Sequence, residues 1–210
     1  GAAAAAVPMP ALLRRLALAA VLLGPAASSQ PAEALRTDGL DALLDAEDFF
    51  GWEIDLDGDR ALVGAYRVTE AGVRSGVSYV YDWTATGWTL DGTLVPSDAE
   101  ADDLFGSAVA VSGDRALVGA YINDDAGSAS GAAYVFVRSP AGWVEEAKLT
   151  AAVATQADFF GYAVSLSGDR ALIGAMGDDD DGDASGAAYV FARSGGTWAQ
   201  ETKLSALDAD

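Results

Sequence analysis

Short apolar segments separated by polar turns recur along the chain with a fixed pattern. In the copy that begins at Phe105, a Ser-Gly-Asp-Arg sequence at 112–115 has the composition of a tight turn, and a polar, glycine-containing stretch occupies 123–130. The apolar segments between these turn and loop sequences are 105–111, 116–121, 131–138 and 143–149. The pattern predicts four short β-strands in each copy, joined by turns and one longer loop.

The copies are spaced 55 residues apart, at Phe50-Gly51, Phe105-Gly106 and Phe160-Gly161. A long fixed period indicates a repeat architecture, and four strands per ~50 residues is the size of a β-propeller blade. We therefore predict an all-β fold of three four-stranded antiparallel sheets, each one blade of a propeller.

The residues that recur at this spacing are mostly aromatic or small. Aromatic residues at matched positions indicate core packing between blades, because a single sheet leaves both faces wet and needs neighbours to cover them. A glycine late in a strand marks a bulge or a closely approaching backbone. The matched sets are Tyr79, Tyr134 and Tyr189, Trp88, Trp143 and Trp198, and Gly64-Ala65, Gly119-Ala120 and Gly174-Ala175.

The two ends of the chain differ from the repeats. Arg14 and Arg15 followed by the apolar run 16–23 are typical of a secretory signal peptide, and this run is short for a bilayer span of ~20 residues. The sequence after Lys203 repeats the sequence after Lys148, which predicts the start of a truncated fourth repeat. The predicted segments are a signal region at 1–34, an acidic lead-in at 35–47, blades at 48–95, 96–150 and 151–204, and the fourth repeat at 205–210.

The Phe-Gly, Gly-Asp and Gly-Ala elements together resemble the FG-GAP repeat over residues 48–204. This resemblance implies the seven-bladed propeller of integrin α-subunits and many bacterial secreted proteins, of which the chain would be a fragment. The family holds calcium in an Asp-rich loop between the first two strands. Here that loop is a tight turn, and in Asp55-Leu-Asp57-Gly58-Asp59 the glycine falls at the fourth position, so the family's calcium residues do not transfer.

Composition excludes several functions. A formal net charge of −20 disfavours nucleic acid and anionic membranes as partners, since both are polyanions. The chain has no cysteine and no histidine, which removes disulfides, thiol chemistry, imidazole bases and His metal ligands. We expect no membrane insertion once the signal region is removed.

Up-and-down sheets send alternate connections to opposite ends, and sorting the charges this way predicts one strongly acidic loop face. This face includes the carboxylates of the segments that connect the blades, among them Asp48, Asp103 and Asp158. Calcium needs six to eight oxygen ligands, and the acidic loops offer carboxylates around a glycine that permits a sharp turn. The candidate ligands are Asp178, Asp179, Asp180, Asp181 and Asp183 in the third copy, and Asn123, Asp124 and Asp125 in the second. The alternative is a solvated acidic loop held by Asx and Ser turns.

These observations support a secreted, periplasmic or cell-surface propeller without enzymatic activity, whose acidic face binds a protein or glycan in interaction or adhesion. The alternative is the scaffold of a larger exported hydrolase or lyase that acts on polysaccharide, since paired carboxylates could perform glycosidic acid/base chemistry. A third hypothesis is a purely structural surface array. Open blade edges also predict self-association.

Overall fold

The computed structural model describes residues 47–69, 73–180 and 185–206. The predicted signal region, most of the lead-in and most of the fourth repeat lie outside these ranges. Within the described part of the chain, all regular structure is β. The strands are β1 (Ile54–Asp57), β2 (Arg60–Ala65), β3 (Val77–Thr84), β4 (Gly87–Leu94), β5 (Ala108–Ser112), β6 (Arg115–Ala120), β7 (Ala132–Ser139), β8 (Gly142–Leu149), β9 (Phe160–Ser167), β10 (Arg170–Ala175), β11 (Ala187–Ser194) and β12 (Thr197–Ser205).

The strands form three four-stranded sheets, β1–β4, β5–β8 and β9–β12, which we call blades 1, 2 and 3. Neighbouring strands are antiparallel and follow chain order in each blade. The third and fourth strands carry the same register shift in every blade, for example between Val135 and Phe136. The prediction of three four-stranded antiparallel sheets is confirmed.

One predicted boundary is wrong. We expected the first strand of blade 2 to begin at Phe105, but β5 begins at Ala108. The matched strand β9 does begin at its phenylalanine, Phe160, although Gly161 and Gly106 have nearly the same φ, 89° and 87°.

The blades stack face to face, with their first strands close together. The first strands β1, β5 and β9 pack on one another, whereas the last strands β4, β8 and β12 diverge. Phe105 lies in the core between blades 1 and 2, against Leu62 and Val80, and Phe160 lies between blades 2 and 3, against Leu117 and Val135. This fanned stack is the arrangement of propeller blades.

Most of the repeated aromatic residues are core residues, as predicted, and Phe50, Trp88 and Trp143 are partly buried against the core. Phe105, Phe160, Tyr134 and Tyr189 are almost completely buried. The Phe160 ring contacts the Tyr189 ring with a centroid distance of 5.4 Å, and Phe105 meets Tyr134 at 5.7 Å. Burial of one such side chain stabilises the fold by ~1.5–3 kcal/mol.

The Gly-Ala glycines allow the next blade to approach. A Cβ atom placed on Gly119 would lie 3.0 Å from the carbonyl carbon of Gly161 and closer still to its oxygen. Gly64 has the same relationship to Gly106. The sequence-based expectation of a closely approaching backbone is therefore confirmed, and the neighbour is the Phe-Gly of the following blade.

In the part of the chain described, no helix is long and apolar enough to cross a membrane.

Candidate functional site

The connections divide the molecule into two ends. The loops that follow β2, β6 and β10 lie beside the segments that join one blade to the next, and we call this the loop end. The Ala157 amide donates a hydrogen bond to the Ser128 carbonyl (2.9 Å), and the Phe159 amide donates to Ala129 (3.1 Å). The tight turns at 57–60, 112–115 and 167–170 lie at the opposite end, which we call the turn end.

Asp178, a predicted calcium ligand, is buried and already has partners. Its carboxylate accepts hydrogen bonds from the Tyr189 hydroxyl (2.5 Å) and from the Lys203 ammonium (2.7 Å). Burial opposes ionisation of this carboxyl, but the hydrogen bonds from Lys203 and Tyr189 outweigh burial and hold its pKa below the ordinary value. Asp178 is thus an anchor for its loop.

Lys203 also reaches Asp180, whose Oδ2 lies 2.7 Å from the ammonium nitrogen. The ammonium lies 5.7 Å from the centre of the Tyr189 ring. Burial disfavours the charged form, yet the two aspartates raise the pKa of Lys203 and keep it protonated. An internal cation therefore bridges two of the carboxylates that the sequence assigns to calcium.

The loop that follows β6 in blade 2 repeats this arrangement with fewer charged groups. Asn123 is buried, and its side-chain amide donates to the Tyr134 hydroxyl (3.4 Å). Lys148 forms ion pairs with Asp125 and with Asp98, the latter at 2.7 Å, and lies over the Tyr134 ring. Asp124 is exposed. Blade 1 has the apolar version, with Val68 buried at the matched position.

The calcium prediction for these loops stays a prediction. Among the residues that the structure describes, no group of three or more carboxylates is placed to hold a metal ion. Asp181 and Asp183 lie outside the described ranges, while Asp179 and Asp180 lie next to the Asp178 anchor.

Three carboxylates that we assigned to the acidic loop face are buried: Asp48, Asp103 and Asp158. Asp158 accepts hydrogen bonds from the amide and hydroxyl of Thr155, both at 2.6 Å, and Asp103 accepts from the Glu100 amide (2.9 Å). Burial raises the pKa of Asp103. The expectation that these groups are surface charges is wrong. At least Asp103 and Asp158 accept hydrogen bonds from backbone amides of the segments that connect the blades.

Partly exposed aromatic rings lie at the loop end in two clusters, one in blade 1 and one between blades 2 and 3, and sequence reasoning missed them. Tyr66 packs against Trp52 with a centroid distance of 5.0 Å, and Tyr121 packs against Tyr162 at 5.3 Å. The Arg67 guanidinium lies 4.9 Å from the Phe49 ring centre. Tyr162 is 48% exposed. We define the aromatic row as Phe49, Trp52, Tyr66, Tyr121, Phe159 and Tyr162.

The row escaped detection because its members do not all repeat. The position of Trp52 and Tyr162 is a serine in blade 2, Ser107. The available signal was a tyrosine directly after Gly-Ala in the first two copies, Tyr66 and Tyr121. Burial raises the pKa of both hydroxyls, so the rings present neutral, amphipathic surfaces near neutral pH.

Toward the turn end, one carboxylate on the fourth strand of blade 1 and one on that of blade 2 tie each blade to the next one. Glu146 in β8 accepts two hydrogen bonds from Arg193 (2.9 and 2.7 Å) and one from the Trp198 indole (2.8 Å) of blade 3. Asp91 in β4 accepts from Arg138 and Trp143 of blade 2 in the same way. We call this arrangement the outer clamp. It gives a role to the repeated tryptophan in blades 2 and 3.

Asp55 and Asp57, the extra carboxylates of the first copy, also join blades. They line a groove between the first strands and accept hydrogen bonds from the Val111 amide (2.8 Å) and the Gly113 amide (2.6 Å). In blade 2, the Ser112 hydroxyl accepts from the Gly168 amide. These side chains therefore connect neighbouring blades by hydrogen bonds.

Sheets of this size, stacked through Phe-Gly and Gly-Ala contacts, define the chain as a propeller-type protein. The family model described as FG-GAP repeat matches residues 44–81, 88–136 and 143–191, and the chain belongs to this family. A search among curated proteins found no match.

Among solved structures, the chain is similar to a europium-containing methanol dehydrogenase. The similarity has a TM-score of 0.46 and 11% sequence identity, and it covers 72% of this chain and 24% of that one. The chain thus spans about a quarter of the length of that protein.

Proposed function

We propose that this chain is a non-enzymatic interaction propeller, exported from the cell, whose loop end binds a protein or glycan ligand through the aromatic row. The aromatic row is the observation that carries the proposal. Tyrosine and tryptophan combine a large apolar face with a polar group, and they are enriched where proteins bind other molecules.

The strands and loops that carry the aromatic row hold its rings in fixed positions. Tyr66 and Tyr121 directly follow β2 and β6, and the loop beneath Tyr121 is anchored by buried Asn123. The rings are therefore held in place before any ligand arrives, which reduces the entropy lost on binding. The charged loops beside the row provide carboxylates that accept hydrogen bonds from hydroxyl and amine groups.

Family membership favours this role over catalysis, and it also favours an extracellular or surface location, which agrees with the signal-like sequence at 1–34. In the described residues, the buried carboxylates Asp103, Asp158 and Asp178 are engaged by amides, hydroxyls or lysine rather than directed into a cleft. An acid raised in pKa within a substrate cleft is what glycosidic catalysis would require.

The test is binding of the chain to arrays of glycans and matrix proteins, followed by titration of each hit. We expect Tyr121→Ala and Tyr162→Ala to weaken binding, each by about tenfold, equivalent to ~1.4 kcal/mol. Val144→Ala serves as the control, because Val144 is equally exposed at 46% but lies on the outer strand β8. Equal binding by all variants, or turnover of a polysaccharide, would contradict the proposal.

A further inference from the structure

The two clusters of the aromatic row are built on the same backbone turn. In the first cluster, the Trp52 amide donates a hydrogen bond to the Phe49 carbonyl (3.0 Å). In the second cluster, the Tyr162 amide donates to the Phe159 carbonyl (3.1 Å). Both phenylalanines have a left-handed backbone, with φ of 56° and 55°. The turn therefore presents two aromatic side chains at matched positions in blades 1 and 3.

The turn does not itself require aromatic residues. Blade 2 has the same turn, in which the Ser107 amide donates to the Leu104 carbonyl (3.2 Å) and Leu104 has a φ of 57°. Neither of these two side chains is aromatic. The fold therefore does not account for the rings in blades 1 and 3.

In the first cluster, the rings contact a cation that belongs to the chain itself. Phe49, Trp52 and Tyr66 contact one another pairwise, with centroid distances from 5.0 to 6.0 Å. The Arg67 guanidinium lies 4.9 Å from the centre of the Phe49 ring and 6.0 Å from that of the Tyr66 ring. A cation at this distance is attracted by the negative face of an aromatic ring.

The second cluster has the rings but not the cation. Tyr121 of blade 2 meets Phe159 and Tyr162 of blade 3, with centroid distances of 6.1 and 5.3 Å and interplanar angles of 60° and 76°. Rings inclined in this way form a corner, which lies between two blades of the chain. The position of Arg67 is an isoleucine in blade 2, Ile122. Among the residues that the structure describes, no lysine or arginine lies over these three rings.

Hydrogen bonding indicates which kind of cation suits this corner. Lys148 and Lys203 also lie over tyrosine rings, and each forms ion pairs with two aspartates. A primary ammonium has three N–H donors, which need such acceptors. Burial is the main cause of the raised pKa of the Tyr121 hydroxyl, and the other contributions come from Tyr66 and Tyr162 rather than from a carboxylate. A quaternary ammonium has no N–H donor, so aromatic faces alone are sufficient to bind it.

We propose that the corner formed by Tyr121, Phe159 and Tyr162 binds the quaternary ammonium group of an organic cation such as choline. The group lies against the ring faces, as Arg67 lies against Phe49 in the first cluster. The formal net charge of −20 attracts cations to the protein. This inference rests on the proposed function, because it names a ligand class for one part of the aromatic row.

The test is isothermal titration of the full chain with choline and with dimethylbutanol, the uncharged carbon analogue of choline. We expect saturable binding of choline, and binding of dimethylbutanol that is weaker by at least about tenfold, or ~1.4 kcal/mol. Tyr121→Leu and Tyr162→Ser should each weaken choline binding to a similar extent. The serine should be accommodated, because Ser107 occupies the matched position in blade 2. Leu90→Ala is the control and should bind as the wild type does, since Leu90 is 43% exposed on the outer strand β4.

Absence of choline binding would overturn the inference. Equal affinities for choline and dimethylbutanol would also overturn it, because the site would then not select for charge. Choline binding that Tyr121→Leu and Tyr162→Ser leave unchanged would show that another surface is used. If an array ligand depends on Tyr121 while choline does not bind, the proposed function stands and this inference fails.

Vesicles of phosphatidylcholine distinguish two sources of the same chemical group. Binding to the vesicles that free choline competes away would assign the ligand to a lipid head group. Binding of choline without binding to the vesicles would assign it to a soluble cation. Both outcomes support the corner as the site.

Discussion

The backbone carbonyl of Gly161 lies directly against Gly119, so that no side chain fits between the second and third blades at this point. The first of these residues belongs to Phe-Gly and the second to Gly-Ala. The two halves of the repeat are thus contact partners across a blade interface, and not within one blade alone. Within one sheet, Phe-Gly and Gly-Ala therefore lie on opposite faces, and each contacts a different neighbouring blade.

The outer clamp should contribute measurably to stability where it is buried. Glu146→Ala leaves Arg193 and the Trp198 indole without their acceptor, and we expect it to lower the free energy of unfolding by about 1–3 kcal/mol. Glu201→Ala is the control, because its salt bridge with Arg170 is exposed and should contribute at most ~1 kcal/mol. Urea denaturation measures both. Equal losses in the two variants would contradict the clamp.

Asp178 should make the protein sensitive to acid. Its pKa is lowered in the folded state, from an ordinary 3.8, so its stabilising contribution is present above that pH and is lost as pH falls through the folded value. We expect Asp178→Asn to be less stable than the wild type near neutral pH and to lose less stability below about pH 4. The asparagine should be accommodated, since Asn123 occupies the matched site in blade 2.

The measurement is the thermal unfolding temperature of each variant in a series of buffers from neutral pH to about pH 2. Asp124→Asn, on the exposed part of the preceding loop, provides the control and should follow the wild-type curve. Parallel curves for the wild type and Asp178→Asn would show that this carboxyl does not carry the acid response.

Lys203 should compete with calcium for the third acidic loop. If residues 178–183 bind the metal as the sequence predicts, the ammonium between Asp178 and Asp180 must be displaced, and Lys203→Met should increase calcium affinity. Isothermal titration with calcium, checked by chelation, measures this. Lys148→Met is the matched control in the less acidic second loop. Absence of calcium binding in both the wild type and Lys203→Met would reject the site.

The sequence predicted the sheets well because their signals are local. Turn residues such as Gly113-Asp114 mark the ends of strands without knowledge of the neighbours, and the 55-residue period specifies the number of copies. The close approach at Gly119 could also be inferred, since a glycine late in a strand commonly marks a place where another backbone comes near.

The candidate site was less predictable, because its side chains are brought together by contacts between blades. In the sequence, Asp178 is one member of an acidic run, and its burial depends on Tyr189 and Lys203, which follow 11 and 25 residues later. The contact of Tyr121 with Tyr162 links two blades and matches no repeated position. Neither charge counting nor periodicity contains this information.

The most direct test of the stack is the pair of variants Gly119→Ala and Gly174→Ala, compared by urea denaturation in dilute, monomeric samples. The methyl group at 119 must displace the Gly161 backbone, and overpacking of this kind lowers the free energy of unfolding by about 1–3 kcal/mol. The same substitution at 174 meets only ordinary contacts and should change stability by less than ~0.5 kcal/mol. Equal effects at the two positions would contradict the claim that Phe-Gly of one blade packs into Gly-Ala of the blade before it.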